Sequence, residues 1–133
     1  MTAMLKEIVT YIANNTSLAI GSTLFAGFTT TDAPLTCVIV EEIDPAIADY
    51  LITDVVQKPI RVLSRGVSYW TTRATAMALF DLLHGKIQIT LPTVTSGVVY
   101  CANITGTQPY YMGKDGDDSH VFISNFVLKS QLL

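Results

Sequence analysis

One segment, Ser68–Gly85, constrains the fold most, because it carries the start signal, the apolar stripe and the stop signal of a helix. Ser68 is a favoured N-cap residue. His84 stands in the last turn, where a cation suits the helix dipole, and Gly85 is the residue type that commonly follows a helix. Between these ends an apolar stripe recurs at helical spacing through Ala76, Leu79, Phe80 and Leu83. We therefore predict a helix with one buried face.

The N-terminal segment predicts a second helix, because a stripe at helical spacing runs through Leu5, Ile8, Val9 and Ile12. Thr2 can cap its start, and Asn14-Asn15 with Gly21 marks its end. Most of the remaining chain reads as extended runs. These runs are Thr23–Phe28, Thr36–Glu42, Lys58–Arg65, Lys86–Leu91, Gly97–Asn103, Pro109–Gly113 and His120–Lys129. Two helices among several strands, in 133 residues, predict a single α+β domain over residues 1–133.

Two of these regions carry more specific expectations. In Lys58–Arg65, the alternation predicts Ile60, Val62 and Ser64 on one face of a strand, and the two arginines with Leu63 on the other. Between Ile43 and Val56 the pattern weakens, and Pro45 disfavours helix at the residue before it. We predict a long connection there, with one helical turn around Ala46–Leu51.

The charge of the chain is low and unevenly distributed. Only 14% of the residues are charged, so either a neutral Thr/Ser surface or coverage by partner subunits is expected. Seven acids and no base lie between Glu7 and Gln57, whereas six bases and one acid lie from Lys58 to Lys114. This distribution argues against a nucleic-acid-binding module, which would show a dominant basic face. The two blocks can meet head to tail between copies or within one monomer, and both alternatives stay open.

Residues on both sides of this charge division are candidates for a subunit interface. They are Arg61, Arg65, Glu41, Glu42, Asp44, Asp49 and Asp54. Glu41 and Glu42 do not form an acid/base pair, since adjacent strand residues point to opposite faces. The remaining acidic cluster, Asp115, Asp117 and Asp118, is expected in a hairpin turn, because a calcium loop needs a glutamate at its twelfth position.

No catalytic or metal-ligating pattern is present in the sequence. His84 and His120 are the only histidines, and neither has a ligand partner at a suitable spacing. Tyr69, Trp70, Tyr110 and Tyr111 lack the interleaved basic residues of a base-stacking surface, so core and subunit contacts are expected of them. We therefore expect assembly or binding rather than enzymatic turnover, with no cofactor.

The two cysteines and the hydropathy pattern add two further expectations. Cys37 and Cys101 sit among apolar residues, which predicts two buried thiols, and a disulfide is open only if their strands pair. No run of about 18 apolar residues is present, so no membrane association is expected.

Three stretches, in this order, resemble the tail-terminator proteins of long-tailed bacteriophages, also called tail-completion or minor capsid proteins. The first is an N-terminal helix leading into Leu18–Phe28. The second runs from Ile60–Gly66 through Ser68-Tyr69 to a helix ending Leu83-His84-Gly85. The third is Pro109–Asp115, followed by a closing strand with Asn125-Phe126. The chain departs from the family pattern at Thr29–Pro34 and Ile43–Val56.

The resemblance implies a mixed or antiparallel β-sheet with two helices packed on one face. It implies a ring of copies, usually a hexamer, at the head-proximal end of the tail tube in the virion, assembled in the host cytoplasm. Such a ring ends tube polymerisation and provides the head-joining surface. Its partners would be the major tail tube protein and a head-completion or connector protein, with DNA only as passing cargo. The alternative is a monomeric binding or adaptor module, such as another head–tail connector component.

Overall fold

A computed structural model describes residues 4–27, 34–43, 47–48, 55–91 and 99–132. Two helices and eight strands lie in these ranges. In chain order they are α1 (Met4–Asn15), β1 (Leu24–Ala26), β2 (Cys37–Glu42), β3 (Ile47–Ala48), β4 (Val55–Gly66), α2 (Tyr69–Leu83), β5 (Ile87–Leu91), β6 (Val99–Gly106), β7 (Tyr110–Lys114) and β8 (His120–Leu132).

The strands form one mixed sheet. Its strand order is β1-β2-β4-β8-β6-β5, with β3 added beside β4 and β7 beside β8. β1 and β2 are parallel, and the other pairings are antiparallel. The long strands β4 and β8 pair along almost their whole length, while β6 and β7 follow one another along the opposite side of β8.

Both helices pack on the same face of the sheet, which confirms the α+β prediction. One continuous core joins residues of α1 and α2 to the inward side chains of five strands. Ile60 and Val62 on β4 are fully or almost fully buried in that core, whereas Arg61 between them and Leu63 after them are only partly buried. The predicted division of this strand into two faces is therefore correct. Each large apolar side chain buried in this way contributes roughly 1.5–3 kcal/mol.

Ser68 and Gly85 mark the ends of α2 as predicted, whereas His84 lies one residue beyond the last turn. The Ser68 hydroxyl oxygen accepts a hydrogen bond from the Thr71 amide at 3.5 Å, which places Ser68 at the N-cap. His84 is the C-cap residue, and Gly85 follows with φ +78°, a left-handed conformation that favours glycine. The chain then turns into β5, and the Gly85 amide donates to the Ile104 carbonyl at 2.9 Å.

Part of the predicted helical turn at Ala46–Leu51 is wrong, because Ile47–Ala48 form the strand β3. These two residues pair antiparallel with Gln57 and Val56. β4 begins at Val55, three residues before the predicted start. The added residues of β4 provide the edge with which β3 pairs, and a local sequence pattern cannot show such an edge. The other residues of that predicted turn lie outside the described ranges, as does Thr2, the predicted cap of α1.

A disulfide between the two cysteines is excluded by the strand order. Cys37 lies on β2 and Cys101 on β6, with β4 and β8 between them. Three strand spacings of about 4.8 Å separate the two backbones by roughly 14 Å. A disulfide needs Cα atoms within about 7 Å, and Cys37 is a buried free thiol.

The described helices include none that is long and apolar enough to cross a membrane.

Candidate interaction surfaces

Opposite charges on β2 and β4 pair within the chain. Arg61 and Glu41 are direct register partners, and Arg61 Nη2 lies 3.0 Å from Glu41 Oε2. Lys58 Nζ lies 2.9 Å from Glu42 Oε2 on the other face of the same strand pair. The acidic and basic blocks of the sequence therefore meet inside one monomer at these positions. Their place in a subunit interface remains a proposal.

Arg65 holds three segments of the chain together. Its Nη1 lies 3.7 Å from Asp115 Oδ2, in the connection between β7 and β8. Its Nη2 donates a hydrogen bond to the Pro34 carbonyl at 3.2 Å, just before β2. The guanidinium is mostly covered, so removing it would uncouple the end of β4 from both loops. Asp44, Asp49 and Asp54, the remaining interface candidates, lie outside the described residues.

The three aspartates of the acidic cluster lie in the connection from β7 to β8. Asp115 Oδ1 accepts hydrogen bonds from the amides of Asp117 at 2.9 Å and Ser119 at 3.0 Å. Asp118 has φ +61°, a left-handed conformation that aspartate tolerates, and its carboxylate lies 3.3 Å from Lys114 Nζ. These contacts shape a tight loop. Among the described residues no group of three or more histidines, cysteines or acids is arranged to hold a metal ion.

An aromatic cluster joins the start of α2 to β7 and β8. Tyr69 is at its centre, with ring centroids 5.0 Å from Trp70, 5.2 Å from Tyr111, 5.6 Å from His120 and 5.3 Å from Phe122. The Tyr111 hydroxyl also hydrogen-bonds His120 Nδ1 at 2.8 Å. The sequence marked three of these tyrosine and tryptophan residues as core or contact residues. It gave no signal for His120, because that ring reaches the cluster through the pairing of β7 with β8, which no local sequence pattern shows.

β7 leaves apolar side chains and one backbone edge uncovered. Tyr110, Tyr111 and Met112 are 45%, 43% and 55% exposed, on both faces of the strand. Within the described part of the chain β7 pairs only with β8. An edge strand of this kind presents unpaired amide and carbonyl groups that another chain can use. The β7 edge is therefore a candidate contact surface.

Comparison with known proteins identifies a shared fold. No family model matches the chain, and no curated protein matches it either. A solved chain described as "Virion of native gene transfer agent (GTA) particle" matches with a TM-score of 0.61. The match covers 98% of this chain and 99% of that chain, at 15% sequence identity. At this identity the likeness shows the fold, and it extends over essentially the whole of both chains.

Proposed function

We propose that this chain is a structural, non-enzymatic protein of a phage-like virion. The observation that carries the proposal is the fold shared, over 98% of this chain and 99% of the other, with a chain of a gene transfer agent virion. The resemblance of three ordered stretches to tail-terminator proteins supports a more specific role. In that role, copies form a ring, usually a hexamer, at the head-proximal end of the tail tube. The ring ends tube polymerisation and offers a surface to the head.

The uncovered apolar side chains support an assembling subunit. Only 14% of the residues are charged, and several of those charges are used in pairs within the chain. The exposed tyrosine and methionine side chains of β7 are residue types enriched in protein interfaces. We therefore expect ring contacts to depend on these apolar surfaces more than on Arg61, Arg65, Glu41 or Glu42.

The partners follow from the position of the ring. A ring between tail and head contacts the major tail tube protein on one side and a head-completion or connector protein on the other. DNA passes through the opening as cargo. Carboxylates facing that opening would repel the phosphate backbone and keep the DNA from binding.

The experiment that tests the proposal is native mass spectrometry of the purified chain over a range of concentrations. It is run with and without Mg²⁺ and with and without purified tail tubes. A discrete ring-sized species, alone or capping the tubes, is the expected result. A strict monomer in all four conditions overturns the ring and favours a monomeric adaptor of the head–tail junction.

A further inference from the structure

The outward face of α2 is apolar enough to be buried. Trp70, Ala74 and Met77 follow one another at helical spacing on the side opposite the buried face of α2. Trp70 is 73% exposed, more than any other large hydrophobic residue described. The other side of the same helix is buried against the sheet through Thr72, Ala76, Leu79 and Leu83. Met77 is partly buried, so Trp70 supplies most of the exposed apolar surface on the outward side of α2.

The charges of α2 are placed symmetrically about its centre. Arg73 and Asp81 are its only charged residues, and each lies four residues from Met77. Both side chains are exposed, and neither forms an ion pair with another described residue. At 1.5 Å per residue, they stand about 12 Å apart along the helix. An antiparallel copy of the helix, centred on Met77, would therefore bring each Arg73 beside the second copy's Asp81.

We propose that α2 binds α2 of a second copy of this chain, antiparallel, across a two-fold axis at Met77. The two copies of Met77 meet on the axis with the small side chain of Ala74 beside them, and the helix axes would stand about 8–10 Å apart. Two Arg73–Asp81 pairs flank this centre. Trp70 of each copy lies against the last turn of the other helix, near His84.

The symmetry of the charges is the reason for choosing a second copy as the occupant. A two-fold interface uses the same patch on both copies, so the patch must complement itself. One base and one acid at equal distances from the centre make the patch complementary to itself. A contact with a different protein would not need this symmetry. The contact closes after two copies. It is therefore separate from the head-to-tail contacts of a ring, and it does not depend on the proposed function.

Reversing the charges of Arg73 and Asp81 tests the two-fold contact, and sedimentation equilibrium measures the dissociation constant. A contact along one 15-residue helix is small, so the expected dissociation constant is on the order of 10–100 µM. Arg73→Asp and Asp81→Arg each place like charges together and should weaken self-association at least tenfold. An equimolar mixture of these two variants should form a heterodimer with roughly the original affinity, because both facing pairs are then opposite in charge. The double variant should also recover self-association.

Two further measurements complete the test. Lys6→Asp, an equal change of charge on the exposed side of α1, is the matched control and should leave the dissociation constant unchanged. Trp70 is the only tryptophan, so its emission should move to shorter wavelength as the dimer forms. Unchanged association of both single variants overturns the proposal, as does a mixture that associates no better than its components. A wild-type chain that remains monomeric at millimolar concentration also overturns it.

Discussion

Gly106 on β6 lies directly opposite Phe126 on β8, and the phenyl ring occupies the space that a side chain at position 106 would need. A Cβ atom built on Gly106 would lie 2.5 Å from Phe126 Cε1, closer still to Cδ1, and 3.1 Å from Cγ. Non-bonded carbon atoms normally stand about 3.5–4.0 Å apart. Phe126 is 1% exposed and packs against Phe80, so its ring has little room to move.

Gly106→Ala should therefore destabilise the fold by overpacking. Inserting a methyl group into a filled core costs about 1–3 kcal/mol. The loss of chain entropy in the unfolded state offsets roughly 0.4–1 kcal/mol of this cost. A net loss of about 1–2 kcal/mol corresponds to a decrease in Tm of about 4–7 °C for a chain of 133 residues. Thermal unfolding followed by circular dichroism measures the change.

The matched control is Gly116→Ala, at a glycine with nothing within 4 Å of a built Cβ atom. That variant should have an unchanged or slightly higher Tm, since only the unfolded state is affected. In a Phe126→Leu background the smaller side chain should relieve the clash, and the Gly106→Ala penalty should shrink. Equal Tm values for Gly106→Ala and Gly116→Ala would refute the reasoning, because they would show that the ring moves aside without cost.

Two further predictions concern the cap of α2 and the charge pair across β2 and β4. Ser68→Ala should lower the free energy of unfolding by about 1 kcal/mol, because the Thr71 amide loses its acceptor, and urea unfolding measures it. Arg61→Glu should also destabilise the monomer, by about 1 kcal/mol, since the Arg61–Glu41 pair is 37% and 26% exposed and becomes repulsive. The exchanged pair, Glu41→Arg with Arg61→Glu, should recover that stability. If the exchanged variant folds normally but fails to form the oligomer of the wild type in native mass spectrometry, the pair also serves a subunit interface. If the exchanged variant assembles normally, the Arg61–Glu41 pair stabilises the fold and has no part in a subunit interface.

Local signals predicted the helices and the faces of β4, whereas long-range pairing produced what the sequence missed. Ser68, the apolar stripe and Gly85 are all within one segment, so the ends of α2 could be placed from sequence. β3 has only two residues, and its strand conformation depends on the edge that β4 presents. No local pattern carries that information.

The same distinction applies to the candidate surfaces. The sequence showed an acidic block and a basic block but left open whether they meet within or between copies. The register of β2 on β4 decides this for Glu41 and Arg61, and register depends on the packing of the whole sheet. The aromatic cluster required the β7–β8 pairing, which brings Tyr111 and His120 to the start of α2.

The pairing of charges within the chain has a consequence for assembly. Lys58, Arg61 and Arg65 already have acidic partners in the monomer, so using them between copies would require those pairs to break. The outward face of α2 and the edge of β7 need no such exchange, because their apolar side chains are already exposed. Burying them gains free energy at roughly 25 cal/mol per Å² without disturbing the fold. Assembly through these two surfaces is therefore compatible with a monomer that folds first, and we expect substitutions there to affect association more than stability.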